Sequence, residues 1–215
     1  MKQSTTSRKI KSFLLLILTV TLALSLGLTS QAASQKTKAL KAYKKMLSKT
    51  TIDRNGWPIK SKNCEFAIAY IDNDSIPELI LYNDVDVPHM GGYGTLFTYR
   101  SGSVKFVAEM DLDGTSGTGY YKKKGIFVTS YVQGGTTIAY SQLKKTTTKT
   151  VLSKYKPYAY SGSTKLEYYK VSSGRSKQIS KKAFSSNLKK YVKSTKMTRF
   201  NFYKNTAKNR KKRLL

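Results

Sequence analysis

The sequence FAIAYIDNDSIPELIL, residues Phe66–Leu81, consists of two apolar runs separated by an acidic turn that contains a proline. Short apolar runs bounded by turn residues are typical of strands in a protein core. Pro77 lacks a backbone N–H and cannot continue a strand ladder, so the first strand ends before it. The segment therefore predicts a strand, a tight turn and a second strand.

Three carboxylates lie in and beside this turn. Asp72 and Asp74 are two residues apart, so an extended backbone places both side chains on one side, and Glu78 opens the second strand. Three oxygens converging on a turn suit a hard cation. The sequence therefore predicts Asp72, Asp74 and Glu78 as metal ligands, with Ca²⁺ as the candidate cofactor. The alternative is that the carboxylates accept hydrogen bonds from turn amides and only stabilise the hairpin.

Periodicity on either side of this segment predicts an α+β fold, an antiparallel β-meander sheet flanked by an N-terminal helix and a C-terminal Lys-rich helix. Lys36–Lys49 has its apolar residues at helical spacing, and Ser180 is placed as the N-cap of the second helix. Strands that follow one another without intervening helices favour antiparallel pairing. The expected strands are Cys64–Ile71, Glu78–Asn83, Thr95–Arg100, Val104–Glu109, Gly125–Val132, Thr136–Leu143, Val151–Tyr160 and Leu166–Val171, with Thr198–Tyr203 as a candidate last strand.

Charge is distributed unevenly along the chain. Its 215 residues include 40 Lys and Arg against 11 Asp and Glu, a formal net charge of +29. Asn63–Asp113 has nine acids and two basic residues, whereas Gly114–Leu215 has 25 basic residues and one acid, Glu167. This surplus cannot be neutralised within the chain, so it predicts an anionic partner. The tail is predicted to be a solvated, frayed, anion-binding arm with Lys204, Lys208, Arg210, Lys211, Lys212 and Arg213.

The N-terminus has the pattern of a secretory signal. Met1–Lys11 is basic, Phe13–Leu28 is apolar, and Ser30 and Ala32 are the small residues of a cleavage site. The alternative is an uncleaved membrane anchor, but a bilayer-spanning helix needs about 20 apolar residues. The predicted organisation is a signal peptide over 1–32, a single α+β domain over 33–203 and a basic arm over 204–215. The mature protein is expected outside the cell, with no transmembrane segment.

One histidine and one cysteine restrict the catalytic chemistry that the chain can support. Multi-His metal sites, Cys-rich zinc sites and a disulfide within the chain are excluded. His89 lies near Asp84 and Asp86, but a lone loop histidine also serves as a local hydrogen-bonding group. Cys64 falls in a predicted strand and is expected to be buried and unreactive. No catalytic residue is assigned, and whether the protein is an enzyme stays open.

The segment Tyr70–Leu79, YIDNDSIPEL, resembles the IDxDxIPEL signature of secreted, largely uncharacterised proteins of clostridial-type Gram-positive bacteria. These proteins are similar in layout too, with a signal peptide, a short helix, a YTYxGxV hairpin and a Lys-rich C-terminal helix and arm. The hairpin here is Phe97–Val104. The resemblance implies export into a Gram-positive envelope and implies no particular activity.

These observations predict a secreted, strongly cationic, monomeric protein that associates with the cell envelope and binds anionic cell-wall polymers. Basic residues interleaved with tyrosines would suit nucleic acid in the cytosol, but export makes intracellular nucleic acid an unsuitable partner. The alternative is an extracellular glycan- or wall-active hydrolase that uses carboxylates of the 63–113 acidic segment. A cleft with two facing acids would favour the hydrolase, and a continuous basic face would favour the binding protein.

Overall fold

The computed structural model describes residues 34–83, 92–112, 117–158 and 165–214. The predicted signal peptide over 1–32 and the loop residues Asp84, Asp86 and His89 lie outside the described residues. Within the described ranges, no helix is long and apolar enough to cross a bilayer.

The described chain is rich in antiparallel strands and has flanking helices, which confirms the coarse prediction of the fold. Its helices are α1 (34–47), α2 (Lys181–Val192) and α3 (Ala207–Leu214), and a 3₁₀ turn covers Ser61–Asn63. Its strands are β1 (Thr51–Asp53), β2 (Pro58–Lys60), β3 (Glu65–Ala69), β4 (Glu78–Asn83), β5 (Tyr93–Arg100), β6 (Ser103–Asp111), β7 (Gly119–Tyr121), β8 (Ile126–Val132), β9 (Gly135–Lys144), β10 (Thr147–Pro157), β11 (Glu167–Ser172), β12 (Arg175–Gln178), β13 (Met197–Arg199) and β14 (Tyr203–Lys204).

The strands are divided among three sheets, so the prediction of one meander sheet was wrong in this respect. A five-stranded sheet has the order β14-β3-β4-β5-β6, a seven-stranded sheet has the order β12-β11-β10-β9-β8-β7-β13, and β1 pairs with β2. The burial of β4 gives the physical reason, because five of its six residues are buried. A strand with buried residues on both faces needs a cover on each side of its sheet.

The two large sheets pack face to face, with a helix on the outer face of each. Ala67, Ile80 and Leu96 of the five-stranded sheet form one core with Phe127 and Leu143 of the seven-stranded sheet. Helix α1 packs on the other side of the five-stranded sheet, and α2 packs on the other side of the seven-stranded sheet. The order of layers is therefore α1, five-stranded sheet, seven-stranded sheet, α2.

Helix α2 follows the sequence prediction closely. The side chain of Ser180 accepts a hydrogen bond from the backbone N–H of Ala183, as expected of an N-cap. Phe184 and Val192 are buried against the sheet, and the rings of Phe184 and Tyr140 meet edge to face with centroids 5.4 Å apart. Cys64 is also buried as predicted, with 2% of its surface exposed.

The basic tail is part of the fold, so the prediction of a frayed arm was wrong. Tyr203–Lys204 pairs with β3, and Ala207–Leu214 forms α3. Leu214 is fully buried in the core that contains Tyr43 and Leu47 of α1. The buried Asn205 donates through Nδ2 to the carbonyls of Leu47 and Ser61, both at 2.9 Å. These anchors tie the tail to the end of α1 and to the 3₁₀ turn, because Asn205 donates to a carbonyl of each and Leu214 packs against α1.

Candidate functional site

The strand-turn-strand segment brings its three carboxylates together as predicted. One oxygen from each of Asp72, Asp74 and Glu78 lies within 4.8 Å of the other two, and we call this group the carboxylate cluster. The turn is shaped by its own aspartates. Asp72 Oδ1 accepts from the N–H of Asp74 at 3.0 Å, and Asp74 Oδ1 accepts from the N–H of Ile76 at 2.7 Å. The hairpin-stabilising role that the sequence left open is therefore present.

Arg100 supplies a positive charge to the cluster. Its guanidinium donates to Asp72 Oδ2 at 3.0 Å and forms a second ion pair with Asp74 Oδ2. The pairing register explains why Arg100 contacts these aspartates, since Leu79 lies opposite Phe97 and β5 continues past the start of β4. Arg100, at the end of β5, therefore reaches the turn that precedes β4. Both aspartates are held by an amide on one oxygen and by a guanidinium on the other.

Glu78 is the buried member of the cluster, with none of its surface exposed. Its Oε2 accepts from the N–H of Ile71 at 2.9 Å, whereas its buried Oε1 has no hydrogen-bond partner among the described residues. Burial, together with the nearby charges of Asp72 and Asp74, raises the pKa of Glu78 to about 8. At neutral pH the folded protein therefore keeps Glu78 largely protonated.

Helix α1 contributes a tyrosine to the same region. The hydroxyl of Tyr43 donates to the carbonyl of Pro77 at 2.8 Å, which joins α1 to the turn. Burial raises the pKa of Tyr43 well above its ordinary value, and the charge of Glu78 acts in the same direction. Tyr43 therefore stays protonated and serves as a hydrogen-bond donor.

This geometry bears on the two interpretations of the cluster. A calcium ion needs six to eight oxygens, and Oδ2 of Asp72 and Oδ2 of Asp74 already contact Arg100. A cation that used these two oxygens would have to displace the guanidinium. Calcium binding by Asp72, Asp74 and Glu78 stays a prediction, and the ion pairs with Arg100 are what the structure describes.

The seven-stranded sheet separates its charges between its two faces. All seven basic residues of β9–β12 lie on the face that packs against α2, because each is in register with, or an even number of residues from, a residue that contacts α2. Lys170 lies opposite Leu152 and Lys177, and Lys149 lies opposite Gln142, two residues from Tyr140. We call this surface the lysine face; its residues are Lys144, Lys149, Lys154, Lys156, Lys170, Arg175 and Lys177.

Helix α2 adds further positive charge beside the lysine face. Its exposed basic residues are Lys181, Lys182, Lys189 and Lys190. A cavity of about 650 Å³ lies between α2 and the strands, lined by Lys149, Thr150, Lys170, Ser172 and Tyr191 among others, with no acid in the lining. Two ammonium groups, hydroxyls and a phenol in one recess are donors suited to a phosphate or carboxylate group.

The six predicted anion-binding residues of the tail divide into two groups. Arg210 donates through Nη1 to Asn205 Oδ1 at 2.8 Å, and the guanidinium of Arg213 stacks on the ring of Tyr203 at 4.0 Å. Lys204 lies opposite Glu65 in the sheet. Lys208, Lys211 and Lys212 are exposed on α3. The fold therefore uses the two arginines for structure and leaves the four lysines exposed to an anion.

Sequence reasoning missed Arg100 and the lysine face. Arg100 is one of only two basic residues in the acidic segment 63–113, and that isolation is the signal that could have found it. The lysine face needed the strand register. Lys154 and Lys156 have the even spacing of one sheet face, but the bulge between Thr150 and Leu152 hides the relation to Lys149, and the relation to Lys170 depends on the pairing of β10 with β11.

Comparisons with known proteins add little to this picture. No family model and no curated protein matches the chain. A search of solved structures returned one titled "Structure of a Xanthomonas Type IV Secretion System related protein", with 10% identity and a TM-score of 0.39. The match covers 53% of this chain and 56% of that chain. A likeness at this level supports no argument about function.

Proposed function

We propose that the chain is a secreted, envelope-associated binding protein that holds anionic cell-wall polymers through the lysine face and α2. The observation behind this proposal is the one-sided placement of charge. All seven basic residues of β9–β12 share the face that contains the acid-free cavity lined by Lys149 and Lys170. Random placement on alternating strand positions would divide them between the two faces.

The physical basis is the attraction between clustered ammonium groups and a polyanion. Each lysine that neutralises a phosphate of the polymer releases condensed counterions, so the affinity falls with increasing salt. Gly114–Leu215 contains 25 basic residues and a single acid, so little internal charge competes with the polymer. Phosphate-rich polymers of a Gram-positive wall have the chemistry that this surface suits.

Export is the second component of the proposal. The basic, apolar and small-residue regions over 1–32 support a cleaved signal peptide. N-terminal sequencing of the released protein is expected to begin at Ala33. Recovery of intact Met1 from the membrane fraction would contradict export.

The hydrolase alternative receives less support from the carboxylates. A glycosidase needs two carboxyl groups that reach the substrate from opposite sides. Glu78 is fully buried, and both Asp72 and Asp74 are paired with Arg100. These three groups serve the stability of the turn and offer a hydrolase no exposed pair of acids, so the charge placement on the lysine face makes binding the better-supported proposal.

The test measures binding to isolated Gram-positive walls as a function of NaCl concentration. We expect strong binding at low salt, and elution as the salt increases. The variant Lys149→Gln/Lys170→Gln is expected to bind more weakly, with a log–log salt slope smaller in magnitude by roughly one to two. Walls from which phosphate polymers have been removed should bind the wild-type protein poorly.

The matched control is Lys38→Gln/Lys41→Gln, which removes the same charge from exposed positions of α1. We expect this control to lower the affinity less than the lysine-face variant does. Equal losses in the two variants would attribute binding to net charge alone. Absent binding at low salt, or binding that persists unchanged to molar salt, would refute the electrostatic proposal.

A further inference from the structure

The face of the seven-stranded sheet opposite the lysine face has a group of tyrosines. Tyr131 of β8 lies opposite Thr137 of β9, which lies opposite Tyr155 of β10. Ser153, two residues from Tyr155, lies opposite Tyr169 of β11. In antiparallel pairs, opposite residues project from the same face, so the three rings share one surface. We call Tyr131, Tyr155 and Tyr169 the tyrosine face.

The hydroxyl groups of these tyrosines are held by hydrogen bonds. Tyr155 donates to the carbonyl of Gly134 at 2.9 Å, Tyr131 donates to Gln133 Oε1, and Tyr169 donates to Glu167 Oε2. The ring of Tyr155 also lies against Gly135, where an added Cβ would come within 2.6 Å of it. Rings fixed in this way lose little side-chain entropy when a ligand binds.

Tyr131 is the exposed member of the tyrosine face, with 39% of its surface exposed, and Tyr155 and Tyr169 are half-buried. The neighbouring exposed residue Val132 projects from the other face, because it lies opposite Thr136, which lies opposite Lys156. One exposed ring beside two half-buried rings offers aromatic surface on which a flat apolar group can stack.

The chemistry of the tyrosine face differs from that of the remaining surface. Its strand positions between the rings are uncharged, and Glu167, the one charged residue, accepts a hydrogen bond from Tyr169. None of the basic residues of β9–β12 lies on it. In a chain with a formal net charge of +29, an aromatic surface that has one acid and no basic residue of β9–β12 does not suit an anion.

We propose that the tyrosine face binds the sugar rings of a polysaccharide chain, a second binding site that does not depend on the lysine face. A pyranose has an apolar C–H face that stacks on an aromatic ring and a rim of hydroxyls that bonds to phenol, amide and hydroxyl groups. Tyr131 and Tyr155 are two strands apart, about 10 Å, so successive rings of one chain can contact both. Gln133 and Thr137 supply uncharged hydrogen-bonding groups between them.

The experiment uses the mature protein with two probes, peptidoglycan stripped of phosphate polymers and a soluble N-acetylglucosamine hexamer. Binding is measured at high salt, where the attraction of exposed lysines for anions is screened. We expect salt-resistant binding that Tyr131→Ala and Tyr169→Ala each weaken by roughly tenfold, since the loss of one stacking contact is near 1.4 kcal/mol. Tyr131→Phe keeps the ring and should retain most of the affinity.

Two controls separate this proposal from others. Trp57→Ala removes an exposed aromatic residue outside the sheet and should leave glycan binding unchanged. Lys149→Gln/Lys170→Gln should also leave it unchanged, so failure of the anion proposal would not affect this result. No binding at high salt, equal losses in Trp57→Ala, or retention by wall-associated peptide rather than sugar would overturn the proposal. Thermal melting of each variant confirms that the fold is intact.

Discussion

The carboxylate cluster and the lysine face differ in whether their charged groups are paired within the protein or exposed at its surface. In the cluster, two aspartates are paired with Arg100 and with backbone amides, and Glu78 is buried in its protonated form. On the lysine face, seven basic residues share one surface of a sheet whose only acid is on the opposite side. Charges that are paired inside the protein stabilise the fold. Charges left exposed on one side raise the potential at that surface and are available to a partner.

The largest effect on stability is expected in the tail, because its polar and basic residues are part of the folded structure. Asn205→Ala removes two buried hydrogen bonds, to the carbonyls of Leu47 and Ser61, and among the described residues only the Ser61 carbonyl keeps another donor, the N–H of Cys64. We expect a loss of about 3 kcal/mol in the free energy of unfolding. Chemical denaturation measures it, and Asn209→Ala, on exposed α3, is the matched control. A change below about 0.5 kcal/mol would mean that the tail contributes no more than an ordinary surface segment.

Arg100→Gln removes the positive charge from the carboxylate cluster. Because Asp72 and Asp74 then repel each other without compensation, we expect a loss of about 2 kcal/mol, roughly 4–8 °C in melting temperature. Millimolar calcium is expected to restore part of this loss, since the two Oδ2 atoms become free for a cation.

The same calcium addition should raise the melting temperature of the wild-type protein less than that of Arg100→Gln. Asp74→Ala on the Arg100→Gln background should abolish the effect. If calcium stabilises neither protein, the metal prediction for Asp72, Asp74 and Glu78 is wrong and only the hairpin-stabilising role remains.

The raised pKa of Glu78 predicts that the stability of the fold depends on pH. Its pKa is about 8 in the folded protein and is near the ordinary value of 4.5 when unfolded. Between these values the folded state binds more protons than the unfolded state. This contribution to stability is therefore fully present below about pH 4.5 and is lost as the pH rises towards 8.

Glu78→Gln, which has no proton to lose, should remove this dependence. We expect the variant to melt several degrees above the wild type at pH 8 and at a similar temperature near pH 4.5. Melting curves across this range provide the measurement. A constant difference between the two proteins at every pH would contradict the raised pKa.

The smallest effect on stability is expected on the lysine face. Lys149 and Lys170 line a cavity at the surface, so Lys149→Gln/Lys170→Gln should change the free energy of unfolding by no more than about 0.5 kcal/mol. An increase in the free energy of unfolding would also agree with exposed, unpaired lysines, because the substitutions remove two like charges. A loss comparable to that of Arg100→Gln would mean that these lysines belong to the fold.

Local features of the molecule were predictable from the sequence. Glu78–Asn83 has the same bounds in the prediction and in the structure, Ser180 caps α2, and Asp72, Asp74 and Glu78 converge. Each depends on residues within one turn or one strand. Apolar periodicity and turn chemistry determine such features without knowledge of distant contacts.

Features that depend on distant residues were not predictable. Arg100 reaches Asp72 through a pairing register between β4 and β5 that no short segment specifies. The tail has the composition of a solvated segment. It is held in the fold by Asn205 and the buried Leu214, and the number of charges in the segment gives no information about these two contacts. The division into separate sheets follows from burial on both faces of β4, which became visible only with its partners in place.

The outermost strand of the seven-stranded sheet has a consequence for the behaviour of the protein at high concentration. All four residues of β12 are exposed, and two of them are Arg175 and Lys177. An open strand edge invites pairing with the same edge of another copy, which is a common route to fibres. Pairing two β12 edges would bring four cations together at strand spacing, so repulsion keeps the sheet from extending from one molecule into the next.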